Sequence, residues 1–414
     1  MLVAALPASP AGRTELVLAR LAELGDIGRA RGTNRPGLGD GEQHAHDLVA
    51  GWMQESELQV EVDAAGNLRG RAPGANPDLP DVWSGSHLDT PPDGGAYDGA
   101  LGVLAALDAT AAIRASGGLT RSVTTVAFRL EEGPRFGRGV FGSRALVGRL
   151  EPDEAELRDA DGTTLGEAFA ALGFGPLPAG PLLGRRPAAF VEAHIEQGPV
   201  LADLGVPLGV VTSIAGMAGF DIEFCGVRGH AGTVPMALRS DAVAAAASFV
   251  ISLHSTATRI PGGVATVGRV DVRPGATNTI PERAVLFADV RAPDEAGLNA
   301  LVAGVQSAAG DAAETARCTV TVSERWRYPP QPMHAEVMDA VREGIRGVGV
   351  DAVDLPSGAG HDAAILAAAG IPSGMLFVRS DAGGVSHSPE EHTGADAVRA
   401  CLAALERTLR VLAA

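Results

Sequence analysis

Two short stretches of the chain concentrate the residue types that bind metal ions. GSHLDTPPDGGAYDGALG carries His87, Asp89 and Asp98, and the strand-like VTTVAFRLEEGP ends in Glu131 and Glu132. Imidazole and carboxylate are ligands for zinc and similar divalent ions. A bound ion with an open position turns water into a nucleophile near neutral pH. The reaction class these residues point to is metal-assisted hydrolysis, and their spacing reads as half of a two-metal site.

Local logic supports that reading. His87, Glu132 and His194 each follow an apolar strand-like segment, and open α/β sheets collect ligands at strand ends. Asp89 is placed to accept from the free ring N–H of His87 and so fix its tautomer. Asp98 is expected to open a helix, where a carboxylate suits the N-terminal dipole or caps the first turn. Glu131 and Glu132 would point to opposite faces of a regular strand, so a turn at the strand end is needed to bring both inward. Gly94 and Gly95 are read as serving the loop between ligands, where positive φ is required. His44, His46, His254, His334 and His392 have no such setting and are assigned to structure or surface.

The elements that must position these residues alternate. Residues 12–60 are mainly helical, and strand-like VEVDAAGNLRGRAP follows. DVWSGSH, DGALGVLAALDATAAIRA, VTTVAFRL and AAFVEAHI then read as strand, helix, strand and strand. This order predicts an α/β fold with a mostly parallel central sheet flanked by helices. From about residue 213 the pattern becomes β-α-β-β-α-β, a compact α+β unit in itself. After RYPPQPM the α/β character returns. The expected organisation is a discontinuous catalytic, metal-binding domain at 1–212 and 328–414, with a smaller lid and dimerisation domain inserted at 213–327.

Composition narrows the function classes. With 414 residues, more than one core is expected. A hydrophobic fraction of 46% argues against disorder, while the apolar runs are too short to span a membrane. The net charge of −17 disfavours nucleic acid and anionic membranes as partners. All 33 basic residues are arginine, which excludes lysine Schiff bases and lysine general bases. Cys225, Cys318 and Cys401 have no metal-type spacing and form no disulfide framework, as suits a cytoplasmic protein. The first residues carry no basic region ahead of their short apolar stretch, so a secretory signal is not expected.

GSHLDTPPDGGAYDGALG, RLEEGPRFGRGVFGSRAL, EAHIEQGPVL, RGHAGTVPM, GATNTIPE, SGAGHDA and GGVSHSPEEHT together resemble successive motifs of one family. It is the N-carbamoyl-L-amino acid hydrolase and allantoate amidohydrolase family, a branch of the co-catalytic zinc carboxypeptidase and aminoacylase-like enzymes. The resemblance runs from about residue 85 to 395. It implies two divalent ions per subunit (Zn, Mn, Co or Ni). One would be bound by His87, Asp98 and His194, and the other by Asp98, Glu132 and His387, with Asp98 bridging. Glu131 would be the general base acting on a bridging hydroxide, with Asp89 and His230 completing the catalytic group. Gln197, His230, Asn278, Arg291, Gly360 and His361 would grip the carboxylate and carbamoyl group of a small ureido substrate. The fork of Arg291 suits a carboxylate, and His230 and Asn278 suit an oxyanion. A homodimer through the lid is also implied, in which His230 can reach the partner subunit's site.

The expected reaction is cleavage of a ureido C–N bond, converting an N-carbamoyl-L-amino acid to the L-amino acid, CO2 and ammonia. Allantoate is the alternative substrate. A dipeptidase or aminoacylase of the wider superfamily is a further alternative, against which EEGPRFG and HIEQGP argue. A catalytically silent metal-binding scaffold is the non-enzyme alternative; loss of the base or of a ligand would mark it, and neither is seen.

Overall fold

The computed structural model describes residues 9–414. Residues 1–8, the start of the stretch considered for a secretory signal, lie outside the described residues. The chain divides into two compact units. The first comprises the described residues up to Thr212 together with Met333–Leu355 and His361–Ala414, and the second comprises Ser213–Pro332 and Pro356–Gly360. The second unit thus extends past residue 327 and takes a short piece from the later α/β segment. That piece is tied in by backbone pairing, with Ala215 N–H donating to Ser357 O at 2.8 Å.

The strands are β1 (Gln59–Val62), β2 (Leu68–Ala72), β3 (Val82–His87), β4 (Val123–Phe128), β5 (Ala189–Ile195), β6 (Leu208–Ile214), β7 (Gly216–Cys225), β8 (Gly229–His230), β9 (Val264–Arg273), β10 (Thr279–Ile280), β11 (Arg283–Ala292), β12 (Thr319–Tyr328), β13 (Gln331–Pro332), β14 (Val353–Ser357) and β15 (Ser373–Val378). The main sheet runs in the order β1-β2-β4-β3-β5-β15-β6. Its centre, β4-β3-β5-β15, is parallel, and antiparallel β2 and β6 flank it. The expected fold class is therefore observed. Every residue of β3, β4, β5 and β15 is buried, as strands covered on both faces require.

The helix Ala100–Ser116 is rich in alanine and leucine and buried almost all round. A helix apolar on every side belongs inside a core. The amphipathic C-terminal helix Ala395–Ala413 buries Val398, Leu402, Leu405 and Leu409 against the same core. A satellite cluster of Leu130, Phe136, Phe141 and Phe169 backs the segment that follows β4.

In the second unit the antiparallel sheet has the order β12-β7-β11-β9. The helices Ala242–Thr258 and Glu295–Ala316 follow β7 and β11 in sequence, giving the β-α-β-β-α-β succession. Phe220, Phe224, Phe249, Leu286, Val290, Leu301 and Val305 form its core.

Candidate active site

Parallel strands present their carboxyl ends at one edge, and the candidate ligands gather there. His87 is the last residue of β3 and pairs in register with Phe128 of β4. His194 lies on β5, in register with Phe377 of β15. Asp98 ends the loop after β3, Glu131 and Glu132 follow β4, and His387 lies in the loop after β15. The structure brings together two sets of donor atoms, His87–Asp98–His194 and Asp98–Glu132–His387, each within 4.8 Å.

Asp98 does not cap the helix that follows. The helix begins at Ala100 with Gly99 as its N-cap and no side-chain capping bond. The carboxylate turns inward instead, its Oδ1 lying 3.1 Å from His194 Nε2 and 3.6 Å from His87 Nε2. Its Oδ2 lies 3.3 Å from His387 Nε2 and accepts from Gln197 Nε2 at 3.0 Å. Gly99 makes the inward turn possible. Its φ is +63°, and a Cβ there would lie 2.4 Å from the His87 ring.

Each strand-borne imidazole is tethered by its other nitrogen. His87 Nδ1 donates to Asp89 O at 3.1 Å, and His194 Nδ1 donates to Ile195 O at 2.9 Å. A neutral ring held this way presents an Nε2 lone pair to the carboxylate of Asp98. His194 Nε2 is buried, and it faces the Asp98 carboxylate at 3.1 Å. Two lone pairs facing one another require a cation between them, either a proton or a metal ion. Without a metal ion the titration behaviour expresses the same demand. Burial opposes charge on His87 and His194, yet the surrounding carboxylates raise both imidazoles. Burial likewise opposes charge on Asp98, but hydrogen bonds from His194 and His387 hold it well below the usual carboxylate range. Hydrogen bonds to Asp98 and Glu132 push His387 up to about 10. The donor set, two imidazoles and a carboxylate on one side and two carboxylates and an imidazole on the other, fits divalent ions.

Asp89 does more than meet His87, whose Nδ1 is 3.4 Å from its Oδ1. Its two oxygens accept the backbone N–H groups of Glu131 at 3.0 Å and Glu132 at 2.9 Å. β4 stops at Phe128, and Leu130 takes a left-handed φ of +47°. This turn brings both adjacent glutamates toward the site. Glu131 Oε2 lies 4.0 Å from His87 Nε2, and Glu132 Oε1 lies 3.3 Å from His387 Nε2. The unfavourable turn is held from behind by Glu42, which accepts from Leu130 N–H at 2.8 Å and pairs with buried Arg129 at 3.3 Å. Burial, reinforced by Glu132, Asp362 and Asp89, pushes the Glu131 carboxyl well above its usual range against the opposing pull of His87. A buried carboxyl raised in this way holds a proton more readily than an exposed one does.

The residues expected to hold substrate divide between the units. Gln197, with φ +56°, and His361 belong to the first. His361 packs edge-on against His194, ring centroids 4.4 Å apart, and burial followed by the field of His194 pushes its imidazole well below the ordinary value. His230, Asn278, Arg291 and Gly360 belong to the second. His230 pairs in register with Thr279, and Ala231 N–H donates to Asn278 O at 2.9 Å, so His230 and Asn278 are neighbours. Arg291 does not offer a free fork. Its Nε and Nη2 donate to Asp289 at 2.8 and 3.0 Å, and Nη1 donates to Gly358 O at 2.8 Å. Two of its five N–H groups remain for an anion.

The profile of Peptidase family M20/M25/M40 matches residues 82–411. The chain belongs to this family. Over 378 residues it is 40% identical to an N-carbamoyl-L-amino acid amidohydrolase of Geobacillus stearothermophilus, covering 90% of this chain and 92% of that one. It is 35% identical to a probable allantoate deiminase of Oryza sativa subsp. japonica, covering 95% and 87%. Among solved structures, an amidase of the hydantoinase/carbamoylase family from Burkholderia multivorans superposes with a TM-score of 0.91 at 31% identity, covering 97% and 98%. This member of the M20/M25/M40 family is a hydrolase acting on C–N bonds.

Three residues around the M20 site lie inside the motifs that carry the resemblance but were given no role from the sequence. Glu192, Asp362 and Glu391 are buried carboxylates reached from distant segments. Glu192 forms a third group with His194 and His361. Its oxygens are already engaged, accepting from Ser86 Oγ at 2.7 Å and Ala363 N–H at 2.9 Å. Burial, then Glu192, pushes Asp362 up to about 8. Gly94 and Gly95 do not have positive φ; that conformation falls on Asp93 and Gly99 instead.

Proposed function

We propose that this chain is a metal-dependent amidohydrolase that cleaves the ureido C–N bond of an N-carbamoyl-L-amino acid. The observation that carries the proposal is the pair of ligand sets sharing Asp98, with Glu131 beside them. His87, Asp98 and His194 would hold one divalent ion (Zn, Mn, Co or Ni), and Asp98, Glu132 and His387 a second. Ions held there would polarise the ureido carbonyl and make water nucleophilic near neutral pH. Glu131 takes a proton from the water that attacks the ureido carbon and delivers it to the amino-acid nitrogen as the C–N bond breaks. The carbamate released falls apart to CO2 and ammonia, so one water is consumed. Asp89 keeps Glu131 and His87 in place.

The substrate carboxylate is assigned to the free N–H groups of Arg291, and the developing oxyanion to His230 and Asn278. Gln197, Gly360 and His361 complete the grip on the carbamoyl group. A homodimer through 213–327 is part of the reading. It is supported by exposed Val243, Val250 and Ile251 on the helix Ala242–Thr258, and by Val264 and Val270 on the edge strand β9. A cytoplasmic setting is supported by three free cysteines. Among the described residues no helix is long and apolar enough to cross a membrane.

Allantoate is the second reading, favoured by the 35% identity to the rice allantoate deiminase. Ammonia release from carbamoyl amino acids, β-ureidopropionate, allantoate and ureidoglycolate, with added manganese, separates the two. Turnover of carbamoyl-L-amino acids above the others is expected. Preference for allantoate would replace the first reading with the second, and release from none of them would refute both.

A further inference from the structure

We propose that Glu391 is a positioning residue that ties the loop of Asp98 to the loop of His387, and that the ion held by Asp98, Glu132 and His387 depends on it far more than the other ion does. The proposal rests on the two-ion reading above.

Glu391 is only 6% exposed. Its Oε1 accepts the backbone N–H of Tyr97 at 2.9 Å and of Asp98 at 3.0 Å. Its Oε2 accepts the hydroxyl of Ser386 at 2.8 Å. The same Ser386 Oγ lies 3.3 Å from Asp98 Oδ2. One carboxylate therefore joins segments nearly 300 residues apart, gripping the main chain of one ligand and the residue next to another. Both oxygens are taken by donors from these loops, so Glu391 serves as a clamp rather than as a ligand.

Gly95 gives independent support. A Cβ at this position would lie 2.1 Å from Glu391 Oε1 and 2.5 Å from Glu391 Cβ. Gly95 has no positive φ to explain the glycine. The space it leaves is the space Glu391 fills.

The dependence is unequal because the two ligand sets are anchored differently. His87 and His194 sit on buried strands, and each ring is tied to a neighbouring carbonyl. The loop of Asp98 keeps other ties without Glu391, among them Ala100 N–H to Asp98 O and Leu101 N–H to Tyr97 O. His387 is half exposed and has a left-handed φ of +55°. Its approach to Asp98 and Glu132 relies on how the 386–391 loop is held. Partners outside the ligand shell typically account for about 10–100-fold in metal affinity.

The test is to strip the full-length protein with chelator and titrate it with Mn(II) or Co(II). Bound ions are counted by equilibrium dialysis and elemental analysis, and affinities are read by calorimetry. Wild type is expected to bind two ions. Glu391→Ala is expected to keep the first affinity within a few-fold and weaken the second by about 10–100-fold. Gly95→Ala should do the same by displacing the carboxylate. Glu391→Gln should recover most of the second affinity, because its carbonyl can accept the same two amides and Ser386 can turn to accept from its NH2. Two ions bound with wild-type affinity in Glu391→Ala, or both weakened equally, would overturn the proposal. Should Glu391→Ala not fold, Gly95→Ala decides by the same criteria. Fewer than two ions in wild type would instead refute the two-ion reading itself.

Discussion

His194 stands on a central parallel strand and its side chain is 1% exposed, whereas His387 stands in a loop with its side chain 50% exposed. Both face the same carboxylate, Asp98, the first at its Oδ1 and the second at its Oδ2. The first is oriented by core packing and a carbonyl tether to its ring. The second is oriented by loop hydrogen bonds that run through Ser386 and Glu391. Close-packed strands hold a ligand in place with little further help. A loop ligand needs explicit ties, and those ties can be loosened without disturbing the core. The set containing His194 is therefore expected to be the tighter and less exchangeable one, and the set containing His387 the one that limits activity when metal is scarce.

The largest effect is expected where the two sets meet. Asp98→Ala removes a ligand from both and leaves the imidazoles facing one another, so activity should fall to background and metal analysis should find neither ion firmly held. Retention of one tightly bound ion would mean that the sets do not truly share Asp98. Glu131→Gln comes next. It should retain both ions and lose about 10²–10⁴-fold in kcat, the usual contribution of a general base. Near-normal turnover would give the proton transfer to another group.

The first of these residues were legible in the sequence because strand-end motifs are local. His87, Glu132 and His194 each follow a short apolar run, and their convergence follows from the parallel register. Asp98 was legible as a residue but not in its orientation, because helix-start chemistry and inward ligation look alike until Gly99 is seen to turn the chain. The supporting carboxylates were not legible. Glu42, Glu192 and Glu391 act by accepting backbone amides or hydroxyls from segments 88, 171 and 293 positions away. An amide acceptor has no sequence pattern. In PEEHT, Glu391 reads as a solvated charge beside an equally acidic neighbour. The occupied fork of Arg291 was hidden for a similar reason, since Asp289 two residues earlier on one strand reads as surface alternation.

A smaller effect concerns protons. In the metal-free chain the pairing of His387 with Asp98 and Glu132 raises its imidazole to about 10. This stabilises the folded state fully below the ordinary imidazole value of about 6.5 and is lost as pH rises through about 10. A divalent ion must displace the same proton. Metal affinity should therefore rise with pH over that window, with proton release detectable by calorimetry in buffers of different ionisation enthalpy. Uptake of metal without proton release would show that His387 is not a ligand. Arg291→Lys should act mainly on KM, by roughly tenfold or more, as a charged hydrogen bond is lost; an equal fall in kcat would move Arg291 from substrate binding to chemistry. The smallest effect is expected at His392. It is exposed and paired with Asp381 at 3.1 Å, an arrangement that contributes at most about 1 kcal/mol. His392→Ala should leave turnover and ion content nearly unchanged, which separates His387 from its neighbour in the same loop.

The most direct measurement follows ions bound and ammonia released together while chelator-stripped wild type is titrated with Co(II) in the presence of an N-carbamoyl-L-amino acid. The account predicts two successive binding steps, with hydrolysis appearing only as the second fills. Full activity at one ion per chain, or hydrolysis that does not depend on added metal, would contradict it.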